Sequence, residues 1–382
     1  MNVARWEPDP RRRQGVADGR DDEAGTRRRL VPMTTALLVE GVERIAVLRA
    51  NALGDLLLAL PAMEALKRAY PAAKLTLLGR EWHVRFLRNR PGPVDEVVAL
   101  PPIAGVSSPP DGSAAPETLY EDLRGRRFDL AVQMHGGGRN SNPFIRSLGA
   151  RLTAGLRTPD AAPLDRWVPY VYYQHETLRY LEVAGLVGAA TTDIEPKVAV
   201  IREDWAELRK TLGRLPRGLV AVHPGAGDRR RRWPPERFAE VADRLDRPVV
   251  VTGTEDERDV VEKVVATMTR PARPVVGELS LGGLTALYAA CDLLVANDTG
   301  PRHLAAATGT PTVAVYWCGN LVNWGPLTRG IHRPLVSWTP HCPVCGSDGT
   351  TFGMRDCGHD DVSWVGDVTV DDVLEQAVDL LR

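Results

Sequence analysis

The stretch Leu294-Val-Ala-Asn-Asp298-Thr-Gly-Pro-Arg-His303 decides which fold the chain adopts. Its apolar start, residues 293–296, is typical of a strand buried in a parallel sheet. A polar turn with Gly300 follows, and Pro301 stands where the first residue of a helix is expected. The N–H groups at the start of such a helix have no partner within the helix. Because the helix dipole adds partial positive charge there, this point suits a phosphate group.

Two polar side chains flank this turn. Asp298 ends the strand and is placed to accept hydrogen bonds from hydroxyl groups, and His303 lies in the first turn of the helix. The geometry of a tight turn explains Gly300 and Pro301 without any ligand. That alternative does not explain why an aspartate and a histidine converge on one helix N-terminus, so the turn is a candidate binding site.

Strands and helices alternate along the rest of the chain. Strands are predicted at residues 45–48, 74–78, 96–100, 128–133, 219–223, 249–252, 275–276, 293–296 and 312–316. Helices are predicted at residues 56–70, 235–245, 255–269, 282–290 and 301–307. This alternation is typical of βα units that build parallel sheets.

The length of 382 residues argues for two domains, each large enough to bury its own core. Residues 1–40 combine clusters of arginine and acidic residues with few apolar ones, which predicts a disordered leader. We place one α/β domain at residues 41–212 and a second at residues 213–382, with the linker at residues 212–217.

The overall composition is that of an ordinary globular protein, with 43% apolar and 25% charged residues. The net charge of −1 gives no indication of a nucleic-acid partner. No apolar run is long enough to span a bilayer, and the N-terminus lacks the apolar core of a signal peptide. We therefore predict a cytoplasmic protein.

Three segments together resemble glycosyltransferase family 9, the ADP-heptose:lipopolysaccharide heptosyltransferases. The first is Arg49-x-x-x-x-Gly54-Asp55, and the second is His223-Pro-Gly-Ala followed by Arg231-Arg-Trp233-Pro. The third is Asp298-Thr-Gly-Pro-x-His303 with the Ala-rich helix after it. The segments occur in the family's order, and the resemblance covers roughly residues 43 to 382.

This resemblance implies a GT-B architecture, in which two Rossmann-like parallel-sheet domains face each other across a cleft. The N-terminal domain would bind the acceptor and the C-terminal domain the nucleotide-sugar donor. The implied reaction is an inverting, metal-independent transfer of a heptose from ADP-heptose to a saccharide or lipid-linked saccharide. Asp55 would be the general base, whereas the residues alone favour a first-turn acid that stabilises the helix N-terminus.

The resemblance places seven residues at the donor: Gly54, Arg231, Glu255, Asp298, Thr299, Gly300 and His303. Glu255 would bind the ribose, Asp298 the sugar hydroxyls, and His303 would help to neutralise the leaving diphosphate. The family has a lysine at the position of Arg231. Arginine keeps the positive charge but offers a planar fork in place of a point charge, so Arg230 or Arg232 could substitute for it.

Four residues near the C-terminus have the spacing of a zinc knuckle, Cys342-x-x-Cys345 with Cys357-x-His359. A structural zinc ion would hold a glycine-rich stretch that has little apolar core of its own. The alternative is a loop with three reduced thiols. The transfer reaction itself implies no cofactor, because arginine, histidine and helix N–H groups can stabilise a diphosphate.

Two other functions remain open from the sequence. A nucleotide-sugar 2-epimerase shares the architecture, and a non-catalytic sugar-nucleotide-binding protein would need no base, although Gly54-Asp55 argues against it. The acceptor, the sugar and the nucleotide are not fixed by the residues. A lipid-linked acceptor implies peripheral contact with the inner membrane face. We expect that contact at residues 82–90, where Arg85, Arg88 and Arg90 accompany Trp82 and Phe86; an amphipathic helix packed on the sheet is the alternative.

Overall fold

The computed structural model describes residues 38–108, 116–350 and 357–382. Within these ranges the chain forms two six-stranded sheets in which every strand pair is parallel. The predicted leader, residues 1–40, lies almost wholly outside the described residues. The predicted α/β class with two Rossmann-like parallel sheets is confirmed.

The first sheet has the strand order β3-β2-β1-β4-β5-β6. Its strands are β1 Arg44–Leu48, β2 Lys74–Gly79, β3 Glu96–Ala99, β4 Leu130–Gln133, β5 Leu152–Arg157 and β6 Arg166–Pro169. The accompanying helices are α1 Leu53–Ala69, α2 Glu81–Leu87, α3 Glu117–Gly125, α4 Ser141–Ser147 and α5 Glu176–Gly185.

The second sheet repeats this arrangement with the order β12-β11-β10-β7-β8-β9. Its strands are β7 Val220–His223, β8 Val249–Gly253, β9 Ala272–Val276, β10 Leu293–Asn297, β11 Thr312–Trp317 and β12 His332–Ser337. The helices are α6 Arg202–Leu212, α7 Pro235–Leu245, α8 Arg258–Thr267, α9 Leu281–Ala289, α10 Gly300–Ala307, α11 Cys318–Trp324 and α12 Val370–Leu380. None of the helices in the described ranges has both the length and the apolar character needed to cross a bilayer.

All nine predicted strands exist, and α7 has the predicted bounds. The sequence did not predict β5, β6 and β12. The predicted helix at residues 255–269 begins as a short 3-10 helix, Glu255–Glu257, and becomes α-helical only at Arg258.

Helix α6 packs against α9, although it precedes the predicted linker at residues 212–217. The backbone N–H of Val198 also donates to the carbonyl of Ala307 at 2.9 Å. The chain thus contacts the second half well before residue 212. The domain bounds 41–212 and 213–382 stay a prediction, and these contacts favour an earlier crossing.

The two halves meet where α1 packs against α10. One buried apolar cluster includes Met63 of α1, Tyr180 of α5 and Leu304 of α10, so apolar packing continues from one half into the other. At the N-termini of the two helices, a Cβ atom on Gly54 would lie 3.1 Å from Cδ2 of His303. Glycine therefore allows the two helix starts to approach closely.

Candidate active site

Each sheet reverses its strand order between two neighbouring strands, β1 and β4 in the first sheet and β7 and β10 in the second. Ligands of open α/β sheets bind at the carboxyl ends of the strands at such a reversal. Asp55 follows β1, and Asp298 follows β10. Because α1 and α10 touch at Gly54 and His303, these two aspartates lie on opposite sides of one junction.

Asp55 lies in the first turn of α1, where the sequence placed it. Its Oδ2 accepts a hydrogen bond from the Ala52 backbone N–H at 3.0 Å, and its Oδ1 accepts one from Nη2 of Arg49 at 2.7 Å. The side chain is nevertheless 27% exposed. The carboxylate therefore stabilises the helix start and also remains accessible, so the two interpretations of Asp55 do not exclude each other.

A cavity of about 510 Å³ opens beside Asp55 in the first half. Arg80, His135 and Asn140 line it together with residues 105–108. Burial lowers the pKa of His135 to about 3, so its imidazole is neutral near pH 7. These three residues could not be assigned from the sequence, because they come from separate loops that only the folded sheet brings together.

Asp298 is almost fully buried at the end of β10. Its Oδ2 accepts a hydrogen bond from Nδ2 of Asn320 at 2.8 Å and lies 3.5 Å from Nη1 of Arg231. Burial alone would raise the pKa of Asp298, but the interactions with His303 and Arg231 outweigh it and lower the pKa. The site thus holds an ionised carboxylate that can accept hydrogen bonds from hydroxyl groups. Asn320 was not predicted.

His303 is buried beside Asp298, and the distance from its Nε2 to Asp298 Oδ1 is 3.7 Å. Nη2 of Arg302 lies 2.8 Å from Nδ1 of His303 and 3.3 Å from Nε2, and the shorter contact together with the nearby Asp298 carboxylate favours the tautomer that carries its proton on Nε2. Burial and the charge of Arg302 lower the pKa of His303 to about 4. His303 is therefore a neutral hydrogen-bond donor near pH 7, and it can assist a leaving diphosphate by donating a hydrogen bond rather than by adding positive charge.

Only one of the four consecutive arginines at residues 229–232 lies against Asp298, and it is the predicted Arg231. The other three bind elsewhere: Arg229 to Asp361, Arg230 to Asp228, and Arg232 to the carbonyl of Ala226. The suggestion that Arg230 or Arg232 could substitute for Arg231 is therefore not supported by their positions.

The start of α10 offers backbone donors to the same site. Thr299 precedes the helix, and its side chain does not cap the helix. Pro301 has no N–H, so the backbone donors at this point are the N–H groups of Thr299 and Gly300. Gly300 is the first residue of the helix, and a Cβ on it would lie 3.3 Å from Cβ of Leu53. These N–H groups and the positive end of the helix dipole suit an anion, as the sequence predicted.

Glu255 follows β8 at the carboxyl edge of the second sheet, but its side chain is 64% exposed and binds Arg258 at 2.7 Å. Glu257, two residues further on, is buried. It accepts a hydrogen bond from the Thr254 N–H at 3.0 Å, and its Oε2 lies 3.7 Å from Nε2 of His223. Glu255 is therefore accessible at the rim of this edge, while Glu257 stabilises the loop beneath it.

Asn297 supports the second half of the chain in a way that the sequence did not reveal. Its Nδ2 donates to the carbonyl of Pro224 at 2.8 Å, and its Oδ1 accepts from the Trp233 N–H at 3.0 Å. The side chain thereby fixes the loop after β7 to the end of β10. This loop contains Arg231, so Asn297 helps to set the distance between Arg231 and Asp298.

The sequence matches glycosyltransferase family 9 (heptosyltransferase) over residues 117–339, which is more than half of the chain. The chain belongs to glycosyltransferase family 9. It is a glycosyltransferase of GT-B architecture, and the recognition made from its three sequence segments is confirmed.

Characterised relatives of this family 9 chain support the assignment. It is 23% identical over 306 residues to the lipopolysaccharide core heptosyltransferase OpsX of Haemophilus influenzae, covering 76% of this chain and 83% of OpsX. It is 27% identical over 346 residues to lipopolysaccharide heptosyltransferase 2 of Salmonella typhimurium, covering 78% and 95%.

Solved structures show the same fold as this family 9 chain. A glycosyltransferase family 9 protein from Veillonella parvula superposes with a TM-score of 0.70 at 23% identity, covering 89% of this chain and 97% of the other. The ADP-heptose lipopolysaccharide heptosyltransferase II of E. coli superposes with a TM-score of 0.67 at 21% identity, covering 89% and 98%.

The cysteine cluster of this family 9 chain is brought together as its spacing predicted. The ligand atoms of Cys342, Cys345, Cys357 and His359 all lie within 4.8 Å of one another, and Cys342 Sγ lies 3.7 Å from Nδ1 of His359. A tetrahedral zinc ion with bonds of about 2.0–2.3 Å needs ligand atoms about 3.5–3.8 Å apart. Hydrogen bonds with Ser347 lower the pKa of Cys345 to about 6, so thiolate is present at neutral pH. The donor set therefore fits zinc.

The expected membrane-contact face at residues 82–90 is wrong in part. Phe86 and Arg90 are buried, so they cannot face a lipid surface. Arg90 Nη1 donates to Asp204 Oδ2 at 2.7 Å and Nη2 donates to Oδ1 at 3.1 Å. Arg85 and Arg88 remain exposed. The periodicity of residues 82–90 could not show that Arg90 would form a buried ion pair with Asp204, which is distant in sequence.

Proposed function

We propose that the chain is an inverting, metal-independent glycosyltransferase of lipopolysaccharide core biosynthesis. Its donor would be ADP-heptose and its acceptor a saccharide or lipid-linked saccharide. The contact between Gly54 and His303 carries this proposal, because it holds an accessible carboxylate, Asp55, beside the anion-binding start of α10. The similar E. coli enzyme is an ADP-heptose heptosyltransferase, which supports the choice of donor.

The reaction needs a base on the acceptor side and positive charge on the donor side. The acceptor hydroxyl gives its proton to Asp55 while its oxygen bonds to the anomeric carbon. The bond between that carbon and the diphosphate oxygen breaks, and the nucleoside diphosphate leaves with the electron pair. Attack from the face opposite the leaving group inverts the anomeric configuration.

The leaving diphosphate would be stabilised by groups that converge at α10. Arg231 supplies a positive charge, the backbone N–H groups of Thr299 and Gly300 supply donors, and His303 supplies Nε2–H. Asp298 would hold hydroxyl groups of the sugar, and Glu255 would reach the ribose from the rim. These groups provide the counter-charge that a divalent ion provides in other enzymes, and on this ground we infer that transfer needs none.

The base is tested with Asp55→Asn. Donor affinity should stay nearly unchanged, while turnover should fall by ~10²–10⁴, the usual contribution of a positioned acid or base. Asp193→Asn, an exposed aspartate of the same half, is the matched control. Parent-level turnover in Asp55→Asn would remove this residue from the mechanism.

The reaction class is tested by product analysis. A transferase releases free nucleoside diphosphate at a rate that depends on the acceptor. A 2-epimerase would convert the nucleotide sugar without acceptor, which NMR of the sugar would show, and a binding protein would do neither. Thermal-shift screening with ADP-, GDP- and UDP-sugars would identify the donor.

We propose further that Cys342, Cys345, Cys357 and His359 hold a structural zinc ion. The ion would stabilise the tail, because Trp364 beyond the cluster packs edge-on against Trp317 at 5.6 Å and its backbone N–H donates to the carbonyl of Arg230. Metal analysis should find one zinc per chain, and a strong chelator should lower the melting temperature while initial turnover persists. Immediate loss of turnover that magnesium restores would contradict metal-independent transfer, and a different metal would correct the assignment.

A lipid-linked acceptor would bring the enzyme to the cytoplasmic face of the inner membrane. The exposed Arg85 and Arg88 support peripheral contact there, and each contributes roughly 1 kcal/mol near an anionic surface. Binding to anionic vesicles should therefore be weak and salt-sensitive. The double variant Arg85→Gln/Arg88→Gln should float less than the parent at low salt; equal flotation would show that contact lies elsewhere.

A further inference from the structure

Arg49 is a buried residue that the proposed reaction does not use, although it lies beside the base. Its side chain is 2% exposed. Nε donates to the Asp55 carbonyl at 3.0 Å, Nη1 donates to the Met134 carbonyl at 2.9 Å, and Nη2 donates to Asp55 Oδ1 at 2.7 Å. The guanidinium thus connects the end of β1, the end of β4 and the first turn of α1.

Glu176, the first residue of α5, forms a second ion pair with this guanidinium. Its Oε2 accepts from Arg49 Nη2 at 3.3 Å, and it also binds Arg179 and the Tyr180 hydroxyl. The Tyr180 ring lies 4.8 Å from the Arg49 guanidinium carbon, within cation–π distance. Burial raises the pKa of Glu176, although Arg49 and Arg179 act in the opposite direction.

Stability alone does not account for this network. Taking two ions out of water costs several kcal/mol each, and apolar residues of similar volume often stabilise a core as well or better. The network does, however, fix the orientation of one accessible side chain, the carboxylate of Asp55. Asp55 Oδ1 is fixed by Arg49 and Oδ2 by the Ala52 N–H, which use two of the carboxylate's roughly four lone-pair sites.

We propose that Arg49 is a positioning residue for the base Asp55, and that Glu176 positions Arg49. The inference rests on the proposed function of Asp55. A base that works by placement must present its free lone pairs at a fixed angle to the acceptor hydroxyl, and a displacement of about 1 Å can cost ~10²-fold in rate. Arg49 transfers no proton, because its N–H groups serve as hydrogen-bond donors to Asp55 and to two carbonyl groups. It acts by orientation.

The variants Arg49→Met and Arg49→Lys test the orientation. Both should lower kcat by about 10²-fold with donor Kd unchanged, and lysine should not rescue because it cannot bind Asp55 and two carbonyl groups at once. Arg126→Met, a half-buried arginine of the same half, should keep parent kcat. Millimolar guanidinium should restore part of the turnover of Arg49→Ala. Parent kcat in folded Arg49→Met would overturn the proposal.

Glu176→Gln keeps the size of the side chain and removes its charge, so it tests the outer contact if the Arg49 variants fail to fold. It should lower kcat by about 10-fold, less than the loss of Arg49, because Gln can still accept one hydrogen bond. An unchanged kcat would limit the positioning role to Arg49 alone and overturn the second half of the proposal.

A double-variant cycle separates this inference from the proposed function. If Arg49 acts through Asp55, then Arg49→Lys in the Asp55→Asn background should cost no further turnover. If Asp55→Asn lowers turnover and Arg49→Lys adds its full effect, Arg49 acts independently and the positioning inference fails while the base assignment stands. If Asp55→Asn retains parent turnover, the proposed function fails first.

Discussion

Gly54 and Gly300 lie against each other where the two halves of the chain meet: a Cβ atom on Gly300 would lie 3.5 Å from the backbone nitrogen of Gly54. The start of α1 presents Asp55, and the start of α10 follows Asp298. This contact therefore sets the distance between Asp55, the proposed base, and the donor site. A side chain on either glycine would require the neighbouring atoms to move.

Gly54→Ala should lower turnover by at least about 10-fold without lowering the melting temperature. The added Cβ would lie 3.1 Å from Cδ2 of His303, so the imidazole or the helix start must shift. Alanine favours a helix by up to about 1 kcal/mol over glycine, which offsets the strain. Gly125→Ala, where a Cβ meets nothing within 4 Å, is the control and should keep parent turnover. Equal turnover in both variants would show that the spacing is not critical.

Asp298→Ala and His303→Ala should each weaken donor binding by about 1–3 kcal/mol, because each removes a polar contact to a buried ligand. Isothermal titration with ADP-heptose measures the change. Asp292→Ala is the matched control, since Asp292 is an exposed residue just before the opposite end of β10. If both site variants bind as tightly as the control, the turn after β10 has only a structural role.

The free energy of unfolding should fall as the pH is lowered from about 6.5 to about 4. Burial lowers the pKa of His83, His303 and His332 to about 4, so between these pH values the unfolded chain binds more protons than the folded one. Each pKa unit corresponds to about 1.4 kcal/mol, so one such histidine costs roughly 3 kcal/mol by pH 4.

Urea unfolding at pH 7, 6, 5 and 4 measures this loss. His83→Gln should make it smaller, because one titrating group is removed. His341→Gln, at an exposed histidine, is the control and should leave the dependence unchanged. A free energy of unfolding that is constant down to pH 4 would contradict neutral buried imidazoles, and with them the assignment of His303 as a neutral donor.

Arg90→Met should destabilise the fold by about 3–5 kcal/mol, because it leaves Asp204 as a buried carboxylate without its partner. Arg68→Met removes an exposed pair with Asp193 and should cost at most about 1 kcal/mol. Replacing both buried partners, Arg90→Met/Asp204→Leu, should recover part of the loss. Equal destabilisation by Arg90→Met and Arg68→Met, measured in urea, would mean that Arg90 is not buried in solution.

The three strands that the sequence missed each contain a residue that weakens a strand pattern, proline in two of them and glycine in the third. β6 ends in Pro169 and β12 contains Pro334, and both are edge strands, where a residue without a backbone N–H is tolerated. β9, also an edge strand, was predicted only in part because Pro274 interrupts it. β5 is an interior strand that contains Gly155, which packs closely against Gln133; because glycine has no side chain, it weakened the strand pattern in the sequence.

The candidate site was predictable where it lies within one segment. Asp55, Arg231, Asp298 and His303 each stand at a strand–turn–helix junction that the local sequence shows. Glu176 could not be predicted, because it meets Arg49 across 127 residues of chain. The same holds for the contact of Gly54 with His303, since only the packing of α1 on α10 brings the two halves together.

The apolar cluster that joins Met63 and Tyr180 to Leu304 couples the unfolding of the two halves. If one half melted alone, it would expose part of the core on which the other half depends. Heating should therefore give one cooperative transition rather than two. For the same reason, complete separation of the two halves would expose this shared core to water, which is unfavourable.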